Sequence, residues 1–175
     1  MNIVAPVDSQ QKDKILQKTQ YYIEQANKIF GRTFTAIPVL FDLRGYIAGM
    51  YRIKHGQRQI RYNPHLFAKY FEENLAATVP HEVAHYIVDC LYGLRKTRPH
   101  GAEWKALMRE FGADDSRTCR YDFSGIPVKS EKHHSYRCGC KIHQLSTRRH
   151  NRVLKQRLRY ICKSCGGKLK LVAEQ

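Results

Sequence analysis

The sequence predicts an α+β fold in two parts: helices packed on a small antiparallel sheet over residues 1–128, and a small β-rich module over residues 129–175. Three observations predict it. Apolar residues recur at helical spacing on both sides of a stretch with β-like alternation. Four of the six cysteines form two close pairs near the C-terminus, and basic residues are concentrated there too. A chain of 175 residues has room for one ordinary domain and a small second one.

The first helix is predicted over residues 9–30. Seven residues recur there at helical spacing, namely Ile15, Thr19, Tyr22, Ile23, Ala26, Ile29 and Phe30. Gly31 follows the last of them, and glycine commonly ends a helix at that position. The pattern indicates a helix with one apolar face.

The sheet is predicted from short runs at residues 37–43, 46–53 and 59–62. The first run is apolar and the second alternates loosely. Turns at Gly45 and at Gly56 separate the runs. Consecutive short runs joined by turns favour a small antiparallel meander.

Three further helical segments follow. Asn63 is placed to cap a helix that has Pro64 in its first turn, and an apolar stripe continues over residues 66–75. A second helix is predicted from Pro80 to about residue 92, and a third over residues 101–111. Each is followed by glycine, which supports the predicted ends.

The rest of the chain is less regular. Residues 113–134 have no strong period and are predicted to link two modules, while residues 135–172 resemble short strands around the cysteine pairs. No run of eighteen apolar residues predicts a membrane span. The polar N-terminal segment lacks the apolar stretch of a secretory signal, so a cytoplasmic location is expected.

The strongest chemical signal is the run His81-Glu82-Val83-Ala84-His85. On a helix, residues four apart share a face, so both imidazoles can bind one zinc ion. Bound zinc lowers the pKa of its water to roughly 7, and Glu82 is placed to take the proton and pass it to a leaving amine. The run predicts a zinc metalloprotease. The alternative is a chance pattern on an ordinary amphipathic helix.

A catalytic zinc site needs a third protein ligand, and His100 is the best candidate because it lies on the loop before the next helix. Glu103 and Asp89 are weaker candidates, and Asp89 could instead orient a ligand. Tyr92 and Tyr121 could both stabilise a tetrahedral oxyanion, and the sequence does not choose between them.

The two cysteine pairs predict a second, structural zinc site. Cys138 and Cys140 are two positions apart, whereas Cys162 and Cys165 form a C-x-x-C pair followed by two glycines. Four thiolates close a tetrahedral site, and His143 could replace one member of the tight pair. So small a module would need the metal in order to fold.

The remaining cysteines, Cys90 and Cys119, stand alone in the sequence. They are predicted to be buried structural thiols. An even number of cysteines could also indicate disulfides, but the expected cytoplasmic location argues against them.

Charge is distributed unevenly along the chain. Of 31 basic and 15 acidic residues, 13 basic and only 2 acidic ones follow residue 128. Dense positive charge attracts phosphate backbones, so DNA binding without sequence specificity is predicted, against the alternative of a merely soluble basic face. The predicted contacts lie on a strand pair, with Tyr160 available for stacking. They are Arg148, Arg149, Arg152, Lys155, Arg157 and Arg159.

Several of these segments together resemble the SprT family. They are PHEVAH at residues 80–85, PHG at residues 99–101 with Trp104, YRCGC at residues 136–140 and RRHNRV at residues 148–153. The resemblance extends over nearly the whole chain. The protease domain of that family is similar to that of Spartan, a eukaryotic enzyme that digests proteins crosslinked to DNA.

The resemblance implies a zincin-like protease domain over residues 1–128 and a zinc ribbon over residues 129–175. It implies that His81, His85 and His100 ligate the catalytic zinc and that Glu82 is catalytic. The expected cofactors are one catalytic and one structural zinc, with no organic cofactor, and the expected partners are DNA and protein substrates, with no membrane. Two alternatives remain: a DNA-binding zinc protein without protease activity, and a metalloprotease indifferent to DNA.

Overall fold

The computed structural model describes residues 3–116, 121–128 and 132–172. The chain divides into two compact units, residues 1–128 and residues 129–175. Both contain helices and strands, so the predicted α+β class is confirmed. Cys119, one of the two lone cysteines, lies outside the described residues. Within the described residues, no helix has the length and apolar character that a membrane crossing requires.

The first unit begins with helix α1, Ser9–Phe30, as the sequence predicts. Asp8 and Gln11 form a capping box, in which each side chain accepts a hydrogen bond from the backbone N–H of the other residue. Gly31 ends the helix in the left-handed conformation, with φ of 59°. The buried face of α1 includes five of the residues that predicted it, namely Ile15, Thr19, Tyr22, Ile23 and Ala26.

The sheet of the first unit has strands β1 (Val39–Leu40), β2 (Gly49–Lys54) and β3 (Gln57–Tyr62) in the order β1-β3-β2. Strands β2 and β3 form an antiparallel hairpin, but β1 pairs with β3 in parallel. The predicted antiparallel meander is therefore wrong for β1. A meander places consecutive strands side by side, whereas the loop after β1 carries the chain to the far edge of the sheet. Strand β2 is consequently an edge strand.

The predicted helix after Asn63 is broken into three pieces. These are α2 (Pro64–Lys69), α3 (Phe71–Glu73) and a π-helical turn (Asn74–Thr78), which runs into α4 (Val79–Tyr92). Asn63 caps α2 by accepting from the backbone N–H of His65 at 3.1 Å. The break falls at Tyr70, whose φ of −130° is not helical. π-Helical turns occur frequently at functional sites, and this one leads directly into the helix that carries His81.

Helix α4 lies at the centre of the first unit, between α1, the sheet and α5 (Ala102–Glu110). All these elements contribute side chains that are excluded from solvent, and the largest include Ile15, Ile23, Ile60, Tyr62, Tyr86, Ile87, Trp104 and Met108. Side chains in such a core are fixed in single rotamers by close packing. Helix α4 is therefore a rigid base for the residues it carries.

The second unit contains strands β4 (His133–Arg137), β5 (Ile142–Ser146) and β6 (Lys170–Leu171) in the order β5-β4-β6, all antiparallel. Helix α6, Thr147–Leu154, follows β5. Two predictions are wrong here. The first part of the basic segment, Thr147–Leu154, is a helix rather than a strand, because arginine favours helix when no apolar alternation opposes it, and residues 155–159 form neither helix nor strand. The predicted linker also ends earlier than residue 134, since His133 and His134 pair with β5.

Candidate metal centres

Three histidines converge in the first unit. His81 and His85 lie one turn apart on α4, and His100 lies in the loop before α5. The Nε2 atoms of His81 and His85 are 3.2 Å apart, and the Nε2 of His100 lies 2.9 Å from the first and 3.0 Å from the second. The three contacts cannot all be hydrogen bonds, because each Nε2 of a neutral ring is either a donor or an acceptor and three such atoms cannot all be paired with an opposite partner. Their lone pairs can instead share one cation.

The donor set fits a zinc ion. Nitrogens bound to tetrahedral zinc at about 2.0–2.1 Å lie roughly 3.3 Å from each other, close to the separations observed. Burial, with a smaller contribution from the neighbouring imidazoles, lowers the pKa of His81 to about 4 and that of His85 to about 3. Both rings are therefore neutral at pH 7, which is the form that binds metal.

The backbone around His100 is unusual. His100 has φ of 58°, in the left-handed region that residues other than glycine rarely adopt. Gly101 follows, and a Cβ there would lie 2.9 Å from the carbonyl oxygen of Arg98. The tight turn therefore needs glycine at 101, and it directs His100 back towards α4. Strained backbone of this kind is typical of functional positions.

Trp104 supports all three histidines, a role that sequence analysis missed. The side chain is 1% exposed, and its ring centroid lies 4.7 Å from that of His81, 5.7 Å from that of His85 and 4.8 Å from that of His100. Its Nε1–H donates to the carbonyl oxygen of His81 at 3.2 Å. The signals in the sequence were its position four residues after His100 and its place in the pattern that resembles the SprT family.

Glu82 is buried beside this cluster. Its Oε2 accepts a 2.6 Å hydrogen bond from the backbone N–H of Tyr51 on β2. Burial raises the pKa of Glu82 to about 8, although the hydrogen bond from Tyr51 opposes the shift. Strand β2 can approach so closely because position 49 is glycine: a Cβ there would lie 2.6 Å from Thr78 Cγ2 and 2.7 Å from Glu82 Cγ.

His81 and Glu82 lie in a cleft of about 280 Å³. Residues 46–49 form one side of it, and Tyr121 and Phe123 also line it. Of the two tyrosines considered for oxyanion stabilisation, Tyr121 therefore lies at the cleft. Its phenol donates to Asn74 Oδ1 at 2.8 Å.

The Asp89 carboxylate is engaged away from the histidines. Its Oδ2 accepts 2.6 Å hydrogen bonds from the phenol of Tyr51 and from Nε of Arg58. Its Oδ1 accepts from the backbone N–H of Leu94 at 3.0 Å. Desolvation raises the pKa of Asp89, but the hydrogen bonds outweigh it and the net shift is downwards. The alternatives in which Asp89 binds the metal or orients a ligand are therefore wrong, and it joins α4 to the sheet instead.

Four cysteines converge in the second unit, with all four sulfur atoms within 4.8 Å of one another. The Sγ atoms of Cys138 and Cys140 are 3.4 Å apart, and those of Cys140 and Cys162 are 3.7 Å apart. Sulfurs bound to tetrahedral zinc at about 2.3 Å lie roughly 3.8 Å apart, so this set also fits zinc. The backbone N–H of Cys140 lowers the pKa of Cys138, which favours the thiolate that a metal requires. Cys165 completes the set.

His143 lies beside the cysteines, with its Nε2 3.3 Å from Cys138 Sγ. The contact with Cys138 is the main cause that raises the pKa of His143. Because the four sulfurs already converge, the structure does not require the substitution of a cysteine by His143. The geometry suits an N–H donor to the Cys138 sulfur. Cys90, the other lone cysteine, is half-buried in the first unit.

All six predicted DNA contacts are exposed. Arg148, Arg149 and Arg152 lie on α6, and the other three follow it. The guanidinium of Arg149 lies 6.0 Å from the ring centroid of Tyr160. The helix is joined to the sheet by His150, whose ring stacks on that of His134 at 3.7 Å, a contact that sequence analysis did not anticipate.

Comparison with known proteins agrees with these observations. The SprT-like family model matches residues 19–130. Protein SprT of Actinobacillus succinogenes is 35% identical over 162 residues, which cover 92% of this chain and 91% of the relative. Protein SprT of Vibrio parahaemolyticus is 38% identical over a region that covers 82% of this chain and 83% of the relative. Protein SprT of Shewanella oneidensis is 36% identical over a region that covers 88% of this chain and 95% of the relative. No solved structure matches this chain. The chain therefore belongs to the SprT-like family.

Proposed function

We propose that residues 1–128 form a zincin-like metalloprotease domain and that residues 129–175 form a zinc ribbon that binds DNA. One observation carries the protease proposal: three histidine nitrogens lie within 3.2 Å of one another, and the carboxylate of Glu82 opens on the same cleft as His81. Three nitrogen ligands leave one coordination position for water or substrate, which distinguishes catalytic from structural zinc sites. When bound, zinc supplies Lewis acidity and acidifies a coordinated water.

Glu82 holds and moves the proton in this proposal. The N–H of Tyr51 fixes the orientation of its carboxylate, and burial raises its pKa to about 8. A general base works best when its pKa lies near the operating pH. Glu82 accepts a proton from the attacking water and donates it to the leaving amine of the cleaved peptide bond.

The cleft positions the substrate. Among the described strands, β2 pairs with β3 alone. Gly49, the first residue of β2, lines the cleft, and further along the same edge the N–H of Tyr51 already donates to Glu82. An extended polypeptide can add to such an edge as a further strand, which orients a peptide bond without depending on its side chains. This arrangement supports a polypeptide substrate.

The second zinc is structural in this proposal. Four cysteine ligands fill the tetrahedral shell and leave no position for a substrate. Few side chains of this unit are fully buried, among them Tyr136, Leu145 and Cys162. A core so small cannot stabilise a fold, so the metal does.

DNA binding is supported by the exposed cations on and after α6. Arginine forms paired hydrogen bonds with phosphate oxygens, and each neutralised phosphate releases counterions. The set offers no base-reading pattern, so binding is expected to depend on salt rather than on sequence. In this proposal, DNA brings the protease to proteins that are bound to it.

The test uses the full chain loaded with zinc. Wild type should contain two zinc ions and cleave an unfolded protein substrate. Glu82→Gln should abolish cleavage and keep both ions, whereas His85→Ala and Cys162→Ser should each keep one. Full peptidase activity in Glu82→Gln would refute the mechanism.

A second arm tests the role of DNA. Adding DNA should accelerate cleavage of a DNA-bound substrate at low salt, and the effect should fall as salt rises. A triple variant with Arg148, Arg149 and Arg152 changed to alanine should lose this stimulation and retain cleavage of a free peptide. If DNA never changes the rate, the protease is indifferent to DNA. If the zinc-loaded wild type binds DNA but cleaves no substrate, the chain is a DNA-binding zinc protein without protease activity.

A further inference from the structure

Aromatic rings from two separate segments meet at the cleft beside His81 and Glu82. Tyr46 precedes β2, and Tyr121 and Phe123 belong to the segment after α5. The rings of Tyr46 and Phe123 are edge to face at 4.8 Å, and those of Tyr121 and Phe123 at 6.2 Å. We call these three residues the aromatic wall. The proton transfers proposed for Glu82 do not use it.

The aromatic wall is held firmly by bonds to α2 and the residue that follows it. Nζ of Lys69 donates to the Asp122 carboxylate at 2.8 Å and to the carbonyl oxygen of Ser124 at 2.8 Å. The phenol of Tyr70 donates to the carbonyl oxygen of Asp122 at 3.0 Å and accepts from its N–H at 2.9 Å. These bonds fix the backbone between Tyr121 and Phe123. A preformed wall binds a ligand without an ordering cost.

The space in front of the wall suits one large side chain. The cleft measures about 280 Å³, whereas a cavity of about 150 Å³ is enough to hold a benzene ring. The residues that line the cleft near His81 and Glu82 are small: Gly49 has no side chain and Ala77 has only a methyl group. Tyr46 is 66% exposed and Ile47 is 49% exposed, so apolar surface at the cleft is open to solvent. Exposed apolar surface in a cleft typically marks a binding site.

The charges at the cleft indicate which ligand fits. Among the described residues that line the cleft, the carboxyl side chains are Glu82 and Asp114. Asp114 already accepts hydrogen bonds from Ser116, including one from its backbone N–H at 2.9 Å, which leaves fewer acceptor positions for a cationic side chain.

We propose that the aromatic wall forms a specificity pocket for one large apolar side chain, aromatic or long aliphatic, of the substrate polypeptide next to the scissile bond. This proposal rests on the proposed protease function, because it assigns the side-chain preference of the same cleft. Small differences in how an apolar pocket is filled change kcat/KM about 10- to 200-fold. Cleavage should accordingly prefer Phe, Tyr, Leu or Met over Ala at one position.

The experiment maps cleavage sites of the zinc-loaded full chain on an unfolded protein by mass spectrometry. It then compares kcat/KM for peptides that carry Phe, Ala or Lys at the preferred position. Wild type should prefer Phe over Ala about tenfold or more. Phe123→Ala should remove most of this preference, and Ala77→Leu, which fills the pocket, should shift it towards Ala. Tyr21→Ala, which removes an exposed ring on α1, should leave the preference unchanged.

A binding arm separates this proposal from the protease proposal. Fluorescent peptides with Phe or Ala are titrated into zinc-loaded Glu82→Gln, alone and combined with Phe123→Ala. The Phe peptide should bind more tightly, and Phe123→Ala should abolish the difference. A protein that binds with this preference but never cleaves would refute the protease and leave the pocket. Equal binding and cleavage of Phe and Ala peptides, a preference for Lys, or an unchanged preference in Phe123→Ala would each overturn the pocket.

Discussion

The backbone N–H of Tyr51 donates a 2.6 Å hydrogen bond to Oε2 of Glu82. The phenol of the same residue donates to Asp89 at 2.6 Å, two turns further along α4. One residue of the edge strand therefore holds α4 at two points, one at the proposed catalytic carboxylate and one beyond the histidines. The two contacts can be separated experimentally, because a side-chain substitution removes only the second.

Tyr51→Phe tests the outer contact. The variant keeps the backbone N–H to Glu82 and loses the hydroxyl, which leaves the nearly buried Asp89 carboxylate without one of its donors. We expect the free energy of unfolding to fall by about 1–3 kcal/mol, as for other hydrogen bonds to a charged group. Urea denaturation of the zinc-loaded protein measures it. Tyr21→Phe, on the exposed face of α1, should change stability by less than about 0.5 kcal/mol, and a similar loss in both variants would contradict the assignment.

Asp89 should make stability depend on pH in the acid range. Its pKa is lowered in the folded state, so the unfolded state binds more protons at acid pH. The stabilisation is complete above the unfolded value of about 3.9 and is lost as pH falls through the lower folded value. The difference in unfolding free energy between wild type and Asp89→Asn should therefore be constant from pH 5 to 7 and shrink below about pH 4. Taking the difference cancels the protonation of the proposed zinc ligands, which both proteins share. If the difference in unfolding free energy stayed constant down to pH 2, the protonation of Asp89 would not be coupled to folding.

Gly49→Ala tests the close approach of β2 to α4. The added Cβ would lie 2.6 Å from Thr78 and 2.7 Å from Glu82, so either the strand or the carboxylate must move. Overpacking of this kind costs about 1–3 kcal/mol. Peptidase activity should fall at least about tenfold, because small displacements of a catalytic group are costly. Zinc content, measured by atomic emission, should remain two ions per chain.

Gly139→Ala is the matched control for that variant, because a Cβ at 139 meets nothing within 4 Å. It should retain both activity and stability. Equal activity of the two alanine variants would mean that β2 does not position Glu82.

The sequence predicts the elements that depend on neighbouring residues and fails for those that depend on distant ones. Helix α1 has its capping box and its terminal glycine within the segment itself, so its ends are predicted correctly. The parallel pairing of Val39 with Ile60 joins residues that no local pattern connects, and it was missed. Helix α6 was missed because most of its residues are polar or charged, so no apolar residues recur at helical spacing to identify it. The histidine cluster was predicted because spacing on one helix supplies two of its members.

Trp104→Phe tests the support of the histidine cluster. Phenylalanine keeps an aromatic ring in contact with the histidines but loses the N–H that donates to the carbonyl oxygen of His81. Groups that orient metal ligands commonly contribute 10- to 100-fold to metal affinity. We expect the zinc affinity of the histidine site, measured by competition with a chromogenic chelator, to fall by about tenfold. The cysteine site serves as an internal control, because it lies in the other unit and zinc loaded there should dissociate as in wild type. If both sites weakened equally, the effect would be a general loss of stability, and if neither did, Trp104 would contribute only to the core.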